Sequence, residues 1–258
     1  SGARLAAWCF NGRFGKDILE IFPPPEQPPM LNTGTKTRVE QYLHFLKEDI
    51  PHWLPAGLVD ATFESTLMET LLEVEKAQRD IFTCMYSDKS MVGLVHQNMQ
   101  SDNALFWRDE AGGVQAGFID WGKVKQDTFG WELACGFYAI QPPEMMAACD
   151  MQLLRIFIAE FEAEGGHRIG WETMLEHYRL CWCLLAVDVV DNPSIIWQSS
   201  IHTTPGQLRR VPSSEDPRIW HLPDVARGTL ATVLNLAHLW KRLDMPGFFA
   251  EWRKAHPG

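Results

Sequence analysis

The chain has 258 residues, a net charge of −10 and 46% apolar residues, which suffices for one large domain or two small ones with a sizeable core. The acidic balance excludes a basic nucleic-acid footprint and works against anionic membranes unless a local patch reverses the sign. The longest apolar run, CWCLLAVDVV over 181–190, is short and interrupted by Asp188, so no membrane-spanning helix is expected, and no secretory signal peptide is recognisable. The cysteines (Cys9, Cys84, Cys135, Cys149, Cys181, Cys183) include no CxxC and no zinc-type pairing with His, and read as reduced thiols in a cytoplasmic protein.

Ser1-Gly2 reads as a cloning scar, which leaves 3–258 as one domain. Apolar positions Leu5, Trp8 and Cys9 predict a helix over 4–21. FPPPEQPPMLNTG (22–34) predicts a surface loop, because proline lacks the N–H and fixes φ. Helix is expected over 35–49, where Val39, Tyr42, Leu43 and Leu46 share a face, and PHWLPAG breaks it. The clearest helix is 61–82, with Phe63, Leu67, Leu71 and Val74 forming one stripe of the 3.6-residue period.

The texture then changes. MVGLVH (91–96), ALFW (104–107) and VQAGFID (114–120) are short and β-like, and RDEAGG between the last two is a hairpin turn. Helices are expected again at roughly 131–141, 145–164, 171–190, 223–243 and 246–255. The proline-dotted segment 192–222 reads as a long loop or short turns. The fold class is therefore mainly α with a small β insert in the middle, and that insert carries the polar residues of interest.

Those residues are HQNMQSDNALF (96–106), FIDWG (118–122) and WELA (131–134). In this order and spacing they resemble the catalytic segment of the aminoglycoside phosphotransferase, choline kinase and ecdysteroid-kinase-like branch of the protein-kinase-like phosphotransferases. That branch typically reads HGDLHPGN, then IDW, then YDLA. The resemblance implies transfer of phosphate from ATP, with Mg²⁺, to a hydroxyl on a small molecule, which itself bears hydroxyl or amine groups. It implies that His96 packs the loop and that Asn98 occupies the catalytic Asp position, facing the acceptor hydroxyl. Asn103 and Asp120 stand where the family holds its metal, and Glu132 stands where a family Asp braces the loop. Phosphoryl transfer relies on positioning and charge neutralisation, which explains such spacing.

Two departures matter. Asn98 is an amide and cannot accept a proton as a carboxylate does, and a positioned base is worth about 10²–10⁴-fold. Asp102, at the other end of the loop, does not obviously replace it. Secondly, residues 1–95 read as helices and a proline loop, not as the five-stranded, phosphate-covering N-terminal lobe that the family carries. The expectation is thus a protein-kinase-like C-lobe without its N-lobe, with a catalytic-loop region at 91–134 and a helical substrate-side region at 135–258. As given, the chain is either an impaired phosphotransferase lobe or a pseudokinase-type module that binds a ligand or protein. The apolar face near Trp107, Phe118 and Trp121 is expected to be covered by a second copy, by a partner or by the 22–34 loop. The eleven tryptophans are either core anchors or, in part, a cage for a cationic substrate such as choline. Asp188 is either a solvent-facing residue or a paired carboxylate that binds an amine.

Overall fold

The structure is a computed structural model that describes residues 2–15, 17–26, 33–100, 103–140, 142–199, 208–220 and 224–257. Residues 27–32 of the proline-rich stretch, and Asp102, lie outside the described residues. The fold is mainly helical with two two-stranded antiparallel sheets. No described helix is long and apolar enough to cross a membrane. The chain divides into two compact units. The first comprises Ser1–Pro28, Ile81–Phe137 and Ala148–Cys181, and the second comprises Pro29–Asp80, Tyr138–Ala147 and Trp182–Gly258.

The first unit is built on a strand pair that the sequence reading half captured. Strand β1 (Val92–Val95) follows helix α4 (Ala61–Ser87) and pairs with a strand that was not expected, β4 (Lys125–Thr128). β4 reads as polar in sequence, yet Gln126, Asp127 and Thr128 are buried. Each polar side chain is compensated: Gln126 Nε2 donates to the Leu19 and Phe22 carbonyls, and the Asp127 carboxylate accepts from Tyr86 Oη and from the Thr128 N–H at 2.7 Å. Lys125 Nζ lies 2.8 Å from Asp127. Buried polar groups are tolerated when paired in this way.

Between β1 and β4 runs a loop and then the expected hairpin, β2 (Ala104–Arg108) and β3 (Val114–Phe118), in register from Ala104↔Phe118 to Arg108↔Val114. Its turn carries Gly112 at φ 83°, a conformation that favours glycine. Helix α1 (Gly2–Phe10) packs on β1 through Ala3, Ala6, Ala7 and Cys9. The predicted single helix 4–21 is interrupted, and only the single turn α2 (Ile18–Ile21) follows. Helix α5 (Phe129–Phe137) continues directly from β4, and α6 (Pro143–Ala163) and α7 (Trp171–Val189) contribute their residues 148–163 and 171–181. Phe129, Phe157 and Phe161 stack into one aromatic core, with centroid separations of 5.1–6.3 Å.

In the second unit, α3 (Thr35–His44) runs on as a π-helical turn over Phe45–Asp49. It buries Val39, Tyr42, Phe45 and Leu46, and Tyr42 Oη donates to the Val233 carbonyl at 2.8 Å. The stripe Phe63, Leu67, Leu71 and Val74 is buried as expected. Helix α8 (Asn192–Ser199) corrects the loop expected over 192–222. Its proline, Pro193, sits in the first turn, where the missing N–H costs no hydrogen bond. A single helical turn, Pro217–Trp220, precedes α9 (Asp224–Arg242) and α10 (Met245–Ala255). Asp188 is exposed on α7.

Gly130 marks a close approach to backbone in the first unit. A Cβ there would meet the His177 backbone carbonyl carbon and oxygen at 2.7 Å, and backbone cannot swing aside as a side-chain tip does. Gly130→Ala is therefore expected to separate α5 from α7 and destabilise the fold by about 1–3 kcal/mol, as overpacked cores do. Urea denaturation of the variant checks this, and a midpoint unchanged from the native chain would contradict the packing.

Candidate functional site

The chain leaves β1 at Val95 and turns through residues 96–103 before entering β2. His96 is 1% exposed. Its Nδ1 accepts the Asn98 N–H at 3.2 Å, so the neutral ring carries its proton on Nε2, which meets no hydrogen-bond partner of good geometry. Its ring packs edge-on to Trp121 at 4.5 Å and tilted against Phe118 at 5.4 Å. Burial holds its pKa below the ordinary His value, opposed by the Ile119 backbone and the Asp120 charge. The ring is accordingly a packing element of the loop, braced from both sides.

Gln97 next adopts φ 63°, the left-handed region. Holding a non-glycine residue there costs about 1–2 kcal/mol. Two backbone bonds hold the turn. The Glu132 carboxylate accepts the His96 N–H at 3.1 Å on Oε1 and the Gln97 N–H at 2.7 Å on Oε2. Glu132 lies in the first turn of α5 and is 1% exposed. Desolvation raises its pKa to about 7, against the two loop N–H groups, which favour the ionised form.

Three side chains converge beyond this turn. Asn98 Nδ2 donates to Asp120 Oδ2 at 2.5 Å, and Asn98 Oδ1 accepts from Gln100 Nε2 at 3.1 Å. Asn103 Nδ2 donates to the Asn98 carbonyl at 3.0 Å. The hairpin makes this meeting obligatory: Ala104 pairs with Phe118, and one residue further out the Ile119 N–H bonds the Asn103 carbonyl at 3.0 Å. Asn103 and Asp120 thus flank the open end of one hairpin. Asp120 sits at φ 59°, also left-handed, and is exposed. Among the described residues three non-glycines have positive φ, and two of them, Gln97 and Asp120, belong to this loop pair. Such strain concentrates where surrounding structure enforces it, commonly at functional sites.

The structure brings all five singled-out residues into one region: His96, Asn98, Asn103, Asp120 and Glu132. Gln100 and Gln97 were missed. Gln97 had a signal, since it occupies the glycine position of the quoted HGD pattern. Gln100 had none, because a lone loop glutamine is unremarked by any spacing rule. Among the described residues no group of three or more His, Cys, Asp and Glu side chains could hold a metal ion. A carboxylate and an amide oxygen, such as Asp120 and Asn103 carry, are among the oxygen donors that magnesium takes. Trp107 and Trp121 remain 52% and 46% exposed in the single chain, with Phe118 half-buried, so no described segment covers that face.

Compared with known proteins, the chain matches no family model, no curated protein and no solved structure.

The Glu132 environment sets a pH signature. Its folded pKa of about 7 exceeds that of an ordinary carboxylate, near 4.5. Between those values the folded state keeps a proton that the unfolded chain has lost. This group therefore makes stability fall as pH rises from about 4.5 to about 7, by about 3 kcal/mol in all. Glu132→Gln should remove that part of the slope, measured by urea denaturation across the same window. A variant with the native slope would show that the carboxyl does not titrate there.

Proposed function

We propose that this chain is the C-terminal lobe of a small-molecule phosphotransferase of the protein-kinase-like class, related to the aminoglycoside phosphotransferases and choline kinases, with its base position neutralised. The observation that carries the reading is the convergence of Asn98, Asn103 and Asp120 on a loop held by Glu132. The left-handed backbone at Gln97 adds support, because it is the conformation that a glycine in the HGD pattern provides. On this reading the substrate is a small molecule with a hydroxyl to receive phosphate, and the nucleotide is ATP. The protein is cytoplasmic.

In this scheme Asn103 and Asp120 would hold Mg²⁺. When bound, the ion would neutralise phosphate charge during transfer. The chain's own residues set the stage around it. Glu132 fixes the loop backbone through two N–H groups, and His96 fills the space beneath. Asn98 orients by hydrogen bonding, with its amide tied at both ends by Gln100 and Asp120. Its amide oxygen is too weakly basic to take a hydroxyl proton near neutral pH.

A second reading rests on that same amide. Asn98 donates a hydrogen bond to Asp120 that an ionised aspartate could not donate, which suits a pseudokinase-type module that binds a ligand or a protein. The exposed face around Trp107 and Trp121 would then serve self-association or a partner.

The isolated chain is expected to hydrolyse no ATP above background, for want of a base at 98. Sustained ATPase or kinase turnover by the purified protein would overturn the impaired-lobe reading. Restoring the carboxylate separates the two readings further. Asn98→Asp would set two carboxylates at about the 2.5 Å now spanned by a hydrogen bond. Like charges that close cannot both stay ionised without a cation. The variant should lose about 1–3 kcal/mol in chelator. Millimolar Mg²⁺ should then raise its thermal midpoint by several degrees more than it raises that of the native chain. Equal responses to Mg²⁺ would argue against a metal position at Asn103 and Asp120.

A further inference from the structure

The hairpin β2–β3 is a two-stranded sheet, so both of its outer edges lack a partner strand among the described residues. The bonds at its two ends set which backbone groups point outward. The Ile119 N–H bonds the Asn103 carbonyl, and the Asp109 N–H bonds the Gly113 carbonyl. Antiparallel bonding alternates, so positions 103, 105, 107 and 109 bond toward β3. Ala104, Phe106 and Arg108 therefore turn their N–H and C=O groups to the open edge of β2. The edge of β3 is less free. Residues 115–118 line one cavity together with Leu5 and Trp8 of α1, so α1 stands across from that edge.

The side chains of β2 are apolar on both faces. Leu105 and Trp107 point to one face and are 55% and 52% exposed, and Phe106 points to the other at 68%. Val114, diagonal to Phe106 on its face, is 63% exposed. A run that is apolar on both faces is the pattern of a strand inside a larger sheet. Displayed as an edge, it is a template for another chain. The tip of the hairpin argues against a bilayer as its cover. Asp109 and Glu110 are exposed there, and anionic lipid would repel them.

We propose that the chain forms a two-fold dimer through the outer edge of β2, with the two strands antiparallel and Phe106 at the axis. The strand is self-complementary in that register. Ala104, Phe106 and Arg108 exchange backbone bonds with the other copy's Arg108, Phe106 and Ala104. Phe106 meets Phe106 on one face, and each Leu105 meets a Trp107 on the other, pairs of the kind that stabilise sheets. Arg108 brings its positive charge to the Ala104 end of the other strand, where Phe118 pairs and Asp120 follows shortly after. The four exposed side chains offer roughly 400 Å² of apolar surface per copy, about half of a standard interface, and the backbone bonds add to it. The dimer is therefore weak and concentration-dependent. This inference rests on the second reading above, whose exposed face it assigns to a second copy, and it involves no metal or nucleotide.

Sedimentation velocity of the full chain over about 1–500 μM tests it. The native chain should pass from monomer to dimer with a Kd on the order of 10–100 μM. Phe106→Lys sets two like charges at the axis and should weaken association by about tenfold or more, with far-UV circular dichroism showing that it folds. Phe106→Cys gives a positive test that needs no loss of association. Bonded antiparallel neighbours stand about 5.5 Å apart at Cα, within the span of a disulfide. With diamide as oxidant, this variant should cross-link into a dimer. Val114→Cys, on the far strand, should do so no more than the native chain. A monomer throughout the range, unchanged association in folded Phe106→Lys, or equal cross-linking of the two cysteine variants would overturn the proposal. Binding to phosphatidylcholine–phosphatidylserine vesicles that Phe106→Lys abolishes would also overturn it, because the surface would then belong to a membrane. None of these failures bears on the Mg²⁺ response of Asn98→Asp, so failure here is distinguishable from failure of the readings above.

Discussion

A buried carboxylate needs donors, and those that Glu132 finds are the backbone N–H groups of His96 and Gln97. This pair of bonds ties the start of α5 to the first residues after β1, across 36 and 35 residues of sequence. Everything polar in the site hangs from that tie. It holds Gln97 in a left-handed conformation that an unrestrained chain would leave. With Gln97 fixed, the Asn98 N–H meets the His96 ring, and the Asn98 side chain is aimed at Asp120. The cost is visible in Glu132 itself, whose carboxyl is pushed toward neutrality by desolvation. A site that spends stability in this way is built for geometry more than for robustness.

The second constraint is the hairpin. Antiparallel pairing of β2 with β3 fixes which residues can meet at its open end. A shift of one residue in that register would turn every side chain to the other face and take Asp120 away from Asn103. The register is pinned at the far end by a tight turn, where the Asp109 N–H bonds the Gly113 carbonyl and Gly113 N–H bonds Asp109 Oδ1. Turn chemistry at 109–113 therefore governs side-chain placement at 103 and 120. Leu105, Phe106, Trp107 and Val114 on this hairpin are all more than half exposed. Such an apolar patch on a small sheet is unusual.

Much of this was legible before any coordinates. The helical stripe at Phe63, Leu67, Leu71 and Val74 was readable because apolar spacing alone decides which face is buried. The hairpin was readable because RDEAGG supplies glycines between two β-like runs. Asn98, Asn103 and Asp120 were singled out by a resemblance, not by periodicity, and the hairpin register brings the latter two to its open end. β4 was not readable, for a physical reason. Its residues Lys125, Gln126, Asp127 and Thr128 have no apolar alternation, and they are buried only because Tyr86 and the Leu19 and Phe22 carbonyls satisfy them from elsewhere in the chain. Helix α8 was hidden by Pro193, whose meaning depends on whether it falls at a helix start or inside one. Asp188 drew attention because a charge inside an apolar run looks buried, yet helical geometry turns that one position outward.

Asn98 is where sequence and geometry speak together. An aspartate at that position would face Asp120 as a second negative charge, and the pair would need a cation or a proton to coexist. The asparagine found there needs neither. Its nitrogen donates to Asp120 and its oxygen accepts from Gln100, so both ends of the amide are used. An ionised aspartate there would bring a repulsion that a bound ion or a proton must relieve, whereas the amide hydrogen bond to Asp120 holds without either.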